Sequence, residues 1–578
     1  MRLTRNNNKL VYTIKDRCRV CYTCVRECPV KAIKIINGQA EVIQERCIAC
    51  GNCTRVCSQG AKAFLNSTGN VLKLLESDDP VIAILAPSFI AEFKEIDDYH
   101  ELLGMTRELG FSKVIEVAFG ADMVAREYRK IMNKKNVKGY ISSDCPAIVS
   151  YIEKYHPELT GNLAPVVSPM VALARYLRQR NKKNTKIVFI GPCIAKKAES
   201  NEVDEQITFL ELREIFQKKG IYHGKGLYAE FDPPLAGKGA IFPVSRGLLQ
   251  TINSKEDELE RNVIVAEGRI DFQEAIREFK LGLIDSDHLE LLCCEGCIMG
   301  PGTSVKGNKF QRRIRVTHYV KDKLMDLDHN EWDKWMVDSE KTDLSQSFTV
   351  DDQRMKDPTE TGIREVLKRM NKVSEKDHLN CGACGYDTCR NHAVAISKGL
   401  AEVEMCLPYT IEKLHSSVND LAVSNEKLMS VQQALKQTEK LAHMGQLSAG
   451  IAHELNNPLG VVIMYANILL EEEEEDSPLY NDLKLVAEQA ERCKSIVGGL
   501  LNFARKNQVN YQLTDVEEIL RLSLDSVIKP DNISIQLQSE LNDPFAELDQ
   551  EQMIQVITNL VRNAFEAMPG GGVLQIRT

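Results

Sequence analysis

Residues 188–199 read VFIGPCIAKKAE, an apolar run that ends directly in a cysteine loop. Three similar runs precede it, VIAILAP (81–87), KVIEVA (113–118) and KGYISS (138–143), and helical patterns separate them. Short apolar runs that alternate with helices predict an α/β fold with buried strands. Because ligand sites usually follow the strands of such a sheet, this cysteine lies where a site is expected.

Two further cysteine groups follow strand-like runs, YISSDCP (140–146) and LELLCCEGCIMGPG (289–302). The three loops could bring four thiols together on one cluster: Cys145, Cys193, Cys293 and Cys297. Scattered cysteines also occur as ordinary core residues, and spacing alone leaves that alternative open. Cys294 is interpreted as a small buried thiol.

The motifs SSDCP, GPCIAKKAE and LLCCEGCIMG, together with APSFI (86–90) and AFGADM (118–123), resemble the catalytic domain of iron-only hydrogenases over roughly 80–320. The resemblance implies that the four thiols bind a cubane and that Cys297 bridges it to a two-iron subsite. It also implies that Lys196 contacts this subsite. The alternative for Lys196 is a surface lysine beside Lys197.

Several positions depart from the hydrogenase pattern. The proton-delivering cysteine of the family is Asp144 here, and its two motif methionines are Gly191 and Leu291. Pro301 interrupts the glycine-rich end of the third motif. A carboxylate differs from a thiol in pKa and reach, so we expect hydrogen or redox sensing instead of fast hydrogen turnover.

The N-terminal stretches CRVCYTCVRECP (18–29) and CIACGNCTRVCS (47–58) share the spacing C-x2-C-x2-C-x3-C. This double pattern resembles two-cluster bacterial ferredoxins, in which each run lends its fourth cysteine to the other cluster. The resemblance implies one 4Fe-4S cluster on Cys18, Cys21, Cys24 and Cys57, and a second on Cys47, Cys50, Cys53 and Cys28. Pairs of C-x2-C type also serve zinc, an alternative that eight cysteines in this pattern disfavour.

A third cysteine group, CGACGYDTC (381–389), is followed by a single cysteine at 406. It resembles a four-cysteine 4Fe-4S domain of electron-transfer complexes and corrinoid iron-sulfur proteins. The resemblance implies a further cubane, the fourth of the chain, on Cys381, Cys384, Cys389 and Cys406. A zinc site is the alternative here.

The composition indicates a cytoplasmic protein. The 578 residues carry 73 basic and 82 acidic side chains, a formal charge of −9 that gives no global field for nucleic acid. Neither a signal-peptide pattern at the start nor a run near the ~20 apolar residues of a membrane span is present. Cytoplasmic thiols stay reduced, so clustered cysteines are better interpreted as metal ligands than as disulfides.

Residues 409–442 contain neither glycine nor proline, and apolar residues recur at spacings of three and four or seven. They form one seam: Leu414, Val418, Leu421, Leu428, Leu435 and Ala442. Asn425, Gln432 and Glu439 occupy the other seam positions, where polar residues set register and strand number. We expect a parallel dimeric coiled coil; the alternative is a single amphipathic helix.

The stretch LAHMGQLSAGIAHELNNPLG (441–460) places Met444, Leu447, Ile451 and Leu455 on one apolar helix stripe. His453 points off this stripe toward solvent, Asn457 shares its face, and Pro458 allows a bend. A second helix with Val486, Ala490 and Cys493 on its seam completes a hairpin, with Cys493 expected in the core. Two such hairpins make a dimeric four-helix bundle.

This stretch resembles the dimerisation and phosphoacceptor domain of sensor histidine kinases over about 440–506, in the form H-E-x-x-N-P. The resemblance implies that His453 attacks the γ-phosphate of ATP, that Glu454 acts as general base, and that Asn457 positions the attack. It also implies a homodimer and a response regulator as partners.

Near the printed end, LDQEQMIQVITNLVRNAFEAMPGGG (548–572) predicts a helix with Gln555, Asn559 and Asn563 on one face. The buried side is expected to hold Met553, Val556, Ile557 and Leu560. NLVRNAFEA resembles the N-box of the kinase superfamily, which implies that Asn563 binds Mg²⁺ and Asn559 lies beside the phosphates of ATP. No later glycine box is printed, so we expect a truncated ATP-binding domain that does not autophosphorylate alone.

We therefore predict a multidomain α/β and α chain: a two-cluster 4Fe-4S ferredoxin domain (1–70), an iron-only hydrogenase-like domain (78–320), a linker (321–360), a four-cysteine 4Fe-4S domain (361–408), a coiled-coil connector (409–442), a phosphoacceptor four-helix-bundle domain (443–508) and a partial α/β ATP-binding domain (509–578). The predicted function is an ATP-dependent protein-histidine kinase with a redox- or hydrogen-sensing input. An electron-transfer partner or dihydrogen is expected, and neither nucleic acid nor a membrane is. The alternative functions are an iron-sulfur oxidoreductase or hydrogenase with a kinase-derived dimerisation segment, and a non-catalytic scaffold.

Overall fold

The computed structural model of the chain describes residues 9–133, 139–252, 263–284, 288–304, 308–474, 477–504 and 509–578. By its internal contacts the chain divides into two compact units, Met1–His415 and Ser416–Thr578. Among the described residues, no helix combines the length and the apolar character needed to cross a bilayer.

The N-terminal domain (residues 9–65) consists of short elements between cysteine loops. Its strands and helices are β1 (Val11–Thr13), α1 (Thr23–Arg26), β2 (Ile33–Ile36), β3 (Gln39–Val42), α2 (Asn52–Val56) and β4 (Lys62–Phe64). β1 pairs antiparallel with β4, and β2 pairs antiparallel with β3. Such small sheets leave little room for an apolar core, so the cysteine loops make up much of the interior.

The α/β domain (residues 68–345) is built on two parallel sheets. Its strands are β5 (Val81–Leu85), β6 (Lys113–Glu116), β7 (Tyr140–Ile141), β8 (Lys186–Gly191), β9 (Glu205–Thr208), β10 (Val263–Glu267) and β11 (His288–Leu292). One sheet has the order β6-β5-β8-β9 and the other the order β10-β11-β7. All five residues of β5 are buried, as a central parallel strand with both faces covered requires. The predicted α/β fold is confirmed.

Helices cover the sheets. They are α3 (Thr68–Leu75), α4 (Phe89–Glu92), α5 (Tyr99–Glu108), α6 (Ala118–Met132), α7 (Pro146–Tyr155), α8 (Pro169–Arg180), α9 (Phe209–Lys219), α10 (Gly247–Ile252), α11 (Asp271–Leu281), α12 (Lys309–Asp326) and α13 (His329–Asp338). At the α6–α8 contact Gly120 allows the close approach, because a Cβ there would meet the carbonyl oxygen of Pro169 at 2.2 Å.

The stretch 321–360, expected as a linker, packs along the α/β domain over much of its length. The indole of Trp332 on α13 donates to the buried carboxylate of Asp122 at 3.3 Å. Farther on, the amide of Val167 donates to the carbonyl of Leu344 at 2.9 Å. The charged composition of the stretch conceals these anchors, because only a few of its residues point inward.

Two helices frame the third cysteine group, α14 (Glu360–Arg369) and α15 (Cys389–Ser397). They share a small core of Ile363, Val366, Leu367, Met370, Ala393, Val403 and Cys406. Thr388 caps α15 by accepting a hydrogen bond from the amide of Asn391 at 3.0 Å. The Cys381–Cys406 domain (residues 360–406) is therefore a compact module of the first unit.

The remaining helices are α16 (Leu407–Glu472) and α17 (Pro478–Ala504), and Pro458 lies inside α16. The seam residues of 414–435 are exposed in the single chain, at 55–67% of their surface. Ala452, Ile463, Ala466 and Ala490 are buried. Cys493, expected in a core, is exposed here, so it lies on the outside of the single hairpin.

The last part of the chain forms a small α/β module. Its elements are β12 (Gln512–Asp515), α18 (Val516–Asp525), β13 (Ile533–Gln538), β14 (Phe545–Leu548), α19 (Gln550–Glu566) and β15 (Gly572–Arg577). β13 pairs parallel with β15, and β12 pairs antiparallel with β14.

The expected buried side of α19 is partly wrong. Val561 and Phe565 are buried against β13 and its neighbours, whereas Val556 and Leu560 are 50% and 63% exposed. Two apolar rows run along this helix at spacings of four, and only packing against the sheet decides which one faces inward. The row of Gln555, Asn559 and Asn563 is exposed, as predicted.

A buried carboxylate ties the outer helices of the α/β domain together. Glu92 on α4 is fully buried and accepts hydrogen bonds from Arg213 at 2.9 Å, from Arg312 at 3.1 Å and from the amide of Ser304 at 3.0 Å. Arg312 in turn donates to the carbonyl of Ile298 at 2.6 Å. Glu92 thereby holds the segment that follows Cys297.

Replacing Glu92 by Gln leaves the buried Arg312 without its counter-charge and removes one of the two carboxylate partners of Arg213. We expect the free energy of unfolding of the α/β domain to fall by about 3–5 kcal/mol, the usual cost of breaking a buried pair. Urea unfolding of the full chain followed by circular dichroism measures it. The matched control is Glu95→Gln, which removes the other, more exposed partner of Arg213 and should cost less than about 1 kcal/mol. Equal losses in both variants would contradict this role for Glu92.

Candidate functional site

The cysteine loops of the α/β domain lie at the carboxyl ends of parallel strands. Asp144 and Cys145 follow β7, Cys193 follows β8, and the CCEGC loop (293–297) follows β11. β7 and β11 are hydrogen-bonded neighbours, so two of the loops are adjacent. The structure therefore brings the three predicted motifs to one end of the sheets, where parallel sheets usually form sites.

A cavity of about 90 Å³ lies between these loops. Its lining is mostly apolar and includes Asp144, Cys145, Cys193, Lys196 and Cys297. Among the described residues, the Oδ1 atom of Asp144 is buried and has no hydrogen-bond partner. An unpaired carboxylate oxygen beside an apolar cavity is unusual in a folded protein and indicates a site that a bound group completes.

Lys196 is largely withdrawn from solvent, with its side chain 12% exposed, which does not fit the alternative of a surface lysine. Its ammonium donates to the carboxylate of Glu199 at 2.8 and 3.0 Å and to the carbonyl of Asp144 at 3.3 Å. Burial lowers the pKa of Lys196, but the carboxylate of Glu199 outweighs this and the pKa is raised overall. The cavity therefore has one fixed positive charge. Lys197 points elsewhere and pairs with buried Glu211 at 2.9 Å.

The thiols around this cavity are difficult to ionise as they stand. Burial raises the pKa of Cys145 to about 12, and the neighbouring Cys193 adds to the rise. Burial also raises the pKa of Cys297, and Cys145 and Cys193 contribute further. A bound cationic metal would reverse this, because coordination deprotonates a thiol outright.

The paired cysteines of the third loop differ from the sequence expectation. The thiols of Cys293 and Cys50 are hydrogen-bonded to each other, which raises the pKa of Cys293 and lowers that of Cys50. Burial raises the pKa of Cys294, and Cys193 and Cys145 raise it further. Cys294, to which the sequence assigned no role, therefore belongs to the same thiol group as Cys145 and Cys193. Its only signal in the sequence is its position next to Cys293.

A second residue that the sequence analysis did not single out is Glu290 on β11. It accepts hydrogen bonds from the amides of Leu248 and Leu249 at 3.4 and 3.3 Å. Burial raises the pKa of Glu290 to about 8, and the carboxylate of Asp144 adds to the rise. An acidic residue inside a buried strand is the one clue that the sequence offers, in the letters LELL.

The eight cysteines of the N-terminal domain separate into the two predicted sets. Burial raises the pKa of Cys24 to about 11, and its neighbouring thiols are Cys18, Cys21 and Cys57. Burial also raises the pKa of Cys53 well above its usual value, and its neighbouring thiols are Cys50, Cys28 and Cys47. The fourth cysteine of each run thus lies with the other run.

Backbone amides point at the sulfurs of this domain. The amide of Ala32 donates to Cys28 at 3.3 Å, that of Ala61 to Cys57 at 3.3 Å, and that of Ala49 to Cys47 at 3.4 Å. Amide hydrogen bonds to sulfur stabilise negative charge there and tune cluster potentials.

The four cysteines of the Cys381–Cys406 domain share one small module. Burial raises the pKa of Cys384, with contributions from Cys406 and Cys381, and the amide of Cys389 is fixed by the side chain of Asn380 at 2.8 Å. Among the described atoms, the buried hydroxyl of Tyr386 has no hydrogen-bond partner. A cluster sulfur beside Cys384 is a suitable acceptor for it.

The donor chemistry of these sites fits iron-sulfur clusters. Each set consists of thiols that lie together, and burial raises the pKa of several of them, such as Cys24, Cys53, Cys145 and Cys384, so bare thiolates would be unstable at these positions. In the described part of the chain, no three His, Cys, Asp or Glu side chains are close enough to hold a single metal ion. The fit to clusters therefore rests on the converging thiols, the sulfur-directed amides and the unpaired Asp144 and Tyr386 oxygens.

His453 is exposed on α16, and Glu454 and Asn457 are exposed beside it. Ala452 is buried, so the helix has an inner face that His453 does not share. Asn457 is one turn after His453 and on the same face. The imidazole is accordingly free to meet a phosphoryl donor from solvent. Asn559 and Asn563 occupy an exposed face of α19 within a separate α/β module.

Four protein families match successive parts of the chain. The 4Fe-4S dicluster domain matches residues 10–58, and the C-terminal domain of the iron-only hydrogenase large subunit matches residues 79–301. An Fe-S cluster family matches residues 377–408, and the His Kinase A (phospho-acceptor) domain matches residues 443–509.

The individual relatives include sensor kinases and an iron hydrogenase. Sensor kinase CckA of Brucella abortus is 32% identical over 160 residues, which cover 27% of this chain and 17% of that protein. Iron hydrogenase 1 of Clostridium pasteurianum is 29% identical over 201 residues, which cover 29% of this chain and 35% of that protein. The chain thus spans about a third or less of these relatives.

A solved structure of the [FeFe]-hydrogenase HydA1 from Chlamydomonas reinhardtii aligns with 50% of this chain and 100% of its own, at 20% identity and a TM-score of 0.39. Successive parts of the chain thus match a 4Fe-4S dicluster domain, an iron-only hydrogenase large-subunit domain, an Fe-S cluster domain and a histidine-kinase phosphoacceptor domain.

Proposed function

We propose that the chain is a sensor histidine kinase whose input is a redox- or hydrogen-sensing iron-sulfur module. The observation that carries the proposal is one helix. α16 starts at Leu407, immediately after Cys406, and contains His453. A ligand of the proposed cluster would therefore directly precede the helix that carries the phosphoacceptor.

His453 is proposed as the phosphoryl acceptor. One ring nitrogen attacks the γ-phosphate of ATP, Glu454 accepts or orients the ring proton, and Asn457 positions the attack. Asn563 would bind Mg²⁺ and Asn559 would lie beside the phosphates. Phosphoryl transfer needs positioning more than covalent chemistry, so an exposed histidine suffices once the donor is aligned.

A homodimer is proposed for the active form, with a response regulator as the phosphate's next acceptor. The seam of Leu414, Val418, Leu421, Leu428 and Leu435 is exposed in the single chain. Contiguous apolar residues on a helix are rarely left in water, and a second copy would cover them.

Four 4Fe-4S clusters are proposed, one on each cysteine set. The two sets of the N-terminal domain and the Cys381–Cys406 set are each complete. In the α/β domain, Cys145, Cys193 and Cys297 share their site with Cys293 and Cys294. When bound, these clusters supply one-electron redox chemistry, and Lys196 with Asp144 would face any two-iron subsite in the cavity.

The proposed signal is a change in charge at the start of α16. The carbonyl of Cys406 accepts hydrogen bonds from the amide and the hydroxyl of Thr410, at 2.9 and 3.0 Å, which anchors the first helical turn. Reduction adds negative charge at a helix N-terminus, where the helix dipole stabilises it. Such a change can bias the helix between two arrangements that differ in kinase activity.

A second candidate function is an iron-sulfur oxidoreductase or hydrogenase that uses the kinase segment only for dimerisation. The cavity lined by Asp144, Cys145, Cys193, Lys196 and Cys297 favours it, because a cavity lined by titratable groups could serve as an active site. The carboxylate at position 144 makes it the weaker candidate, since its environment differs from that of a proton-delivering thiol.

Replacing His453 by Gln should abolish phosphorylation of the chain. The assay uses the full chain with Mg²⁺ and γ-labelled ATP, both alone and with an added histidine-kinase ATP-binding domain, and it measures acid-labile label. His443→Gln, also exposed and on the same helix, is the matched control and should retain the label. Equal label in both variants would contradict the assignment.

Replacing Cys193 by Ala should remove one cluster, about four iron atoms per chain. Iron and sulfide analysis after anaerobic reconstitution measures the loss, and low-temperature EPR identifies the missing signal. The matched control is Cys493→Ala on α17, an exposed cysteine outside the four sets, which should leave the iron content unchanged. Unchanged iron in the Cys193 variant shows that this thiol is not a ligand.

Labelling of His453 should differ between dithionite-reduced and oxidised full chain in the same assay. Identical labelling would exclude redox sensing.

Dihydrogen supplied as the reductant separates the two candidate functions, because sustained uptake of dihydrogen by the chain supports the oxidoreductase. After maturation in vitro, infrared bands of carbonyl and cyanide are expected only if the two-iron subsite is present, and their absence leaves a cubane alone.

A further inference from the structure

The Cys381–Cys406 domain packs directly on the first cysteine run of the N-terminal domain. The two share one buried core, formed by Val25, Ile33, Ile35 and Ala40 on one side and by Tyr386, Ala395, Leu400, Ala401 and Met405 on the other. The amide of Ile35 also donates to the carbonyl of Leu400 at 3.2 Å. The two cysteine modules are therefore held together by an apolar core and by backbone pairing.

Charged side chains from the first run close this contact. Arg26 donates to the carbonyls of Gly382 and Ala383 at 3.2 and 3.4 Å, and Lys31 donates to the carbonyl of Gly385 at 3.1 Å. The ammonium of Lys31 also lies 5.6 Å from the ring centroid of Tyr386. Both cations thus donate hydrogen bonds to the loop that holds Cys381 and Cys384.

A glycine permits the close approach. Gly385 has φ +88°, and a Cβ there would meet the amide nitrogen of Arg26 at 3.1 Å, the carbonyl oxygen of Tyr22 at 3.3 Å and the Cβ of Val25 at 3.3 Å. Backbone atoms have little freedom to yield, so a side chain at this position must push the two cysteine loops apart.

Tyr386 lies between the two modules. Its carbonyl is 3.9 Å from the sulfur of Cys384, and its ring belongs to the buried core that Cys28 and Val25 also border. The partly buried thiols of Cys28 and Cys53 pack against this core. Cys28 belongs to the second ferredoxin-type set, whose Cys50 contacts Cys293 of the α/β domain.

We propose that the Cys381–Cys406 domain exchanges electrons with the N-terminal domain across the Gly385–Tyr386 contact, at the set of Cys28, Cys47, Cys50 and Cys53. One centre loses one electron and the other gains it, with no proton or covalent bond rearranged. That set is then a junction between the α/β domain and the cysteine that precedes α16. The inference rests on the proposed function, because both sets must hold clusters.

The test uses the full chain, reconstituted anaerobically with iron and sulfide and reduced by dithionite, a one-electron donor. Low-temperature EPR of the wild type should show the Cys381 centre broadened by a neighbouring reduced centre. Removing the junction set with Cys47→Ala and Cys53→Ala should sharpen this signal. Removing the other ferredoxin-type set with Cys18→Ala and Cys57→Ala is the matched control and should leave it broadened. A sharp signal in the wild type, or the reverse pattern in the two variants, overturns the proposal.

Gly385→Val tests the contact without removing a ligand. Rapid-freeze EPR after mixing with substoichiometric dithionite should show slower redistribution of electrons between the two centres, at unchanged iron content. The matched control is Gly399→Val, because Gly399 has φ +69° and open space around its Cβ position. Gly385→Ala is the milder version if the valine lowers iron loading. Equal rates in the Gly385 and Gly399 variants overturn the proposal.

These outcomes separate the inference from the function on which it rests. A Cys381 centre that takes up no iron contradicts the proposed function. A loaded centre that is magnetically isolated in the wild type contradicts only the electron-transfer contact. Phosphorylation of His453 is read in a different assay and affects neither result.

Discussion

Burial of clustered thiols is the constraint on which the first unit depends. Loops and short turns bring thiols together where water cannot stabilise their charge, and burial accordingly raises the pKa values of most of them. Sets of this kind are stable when a cation neutralises them. The sulfur-directed amides and the unpaired oxygens of Asp144 and Tyr386 make sense only around such groups. Folding of this unit and cluster loading are therefore coupled.

The packing of the first unit arranges its cysteine sets in sequence. Cys50 meets Cys293 at the edge of the α/β domain, and Cys28 faces Tyr386 of the Cys381–Cys406 domain. The last cysteine of the series, Cys406, directly precedes α16. The segment around Cys406 thus joins the last cysteine set to the start of α16.

Much of the site could be predicted because its patterns are local. Spacings such as C-x2-C and the sequence IAHELNNP depend on neighbouring residues in one turn or helix, so His453 was correctly expected on an exposed face. Contacts between distant segments decide three other features: the assignment of Cys293, the exposed position of Cys493 and the inward face of α19. Two adjacent cysteines, or two apolar rows on one helix, look equivalent until a partner surface selects between them.

The sequence by itself indicated the modules: the α/β alternation around VFIGPCIAKKAE and the histidine helix follow from periodicity, and the four cysteine sets follow from spacing together with the resemblance to iron-sulfur families. Only the tertiary structure decided how the modules of the first unit meet. It placed Cys294 beside Cys145 and Cys193, paired Lys196 with Glu199, packed the supposed linker on the α/β domain and set Gly385 against the first cysteine run. The physical reason is that burial and close contact are properties of pairs of distant segments, and no single segment encodes them alone.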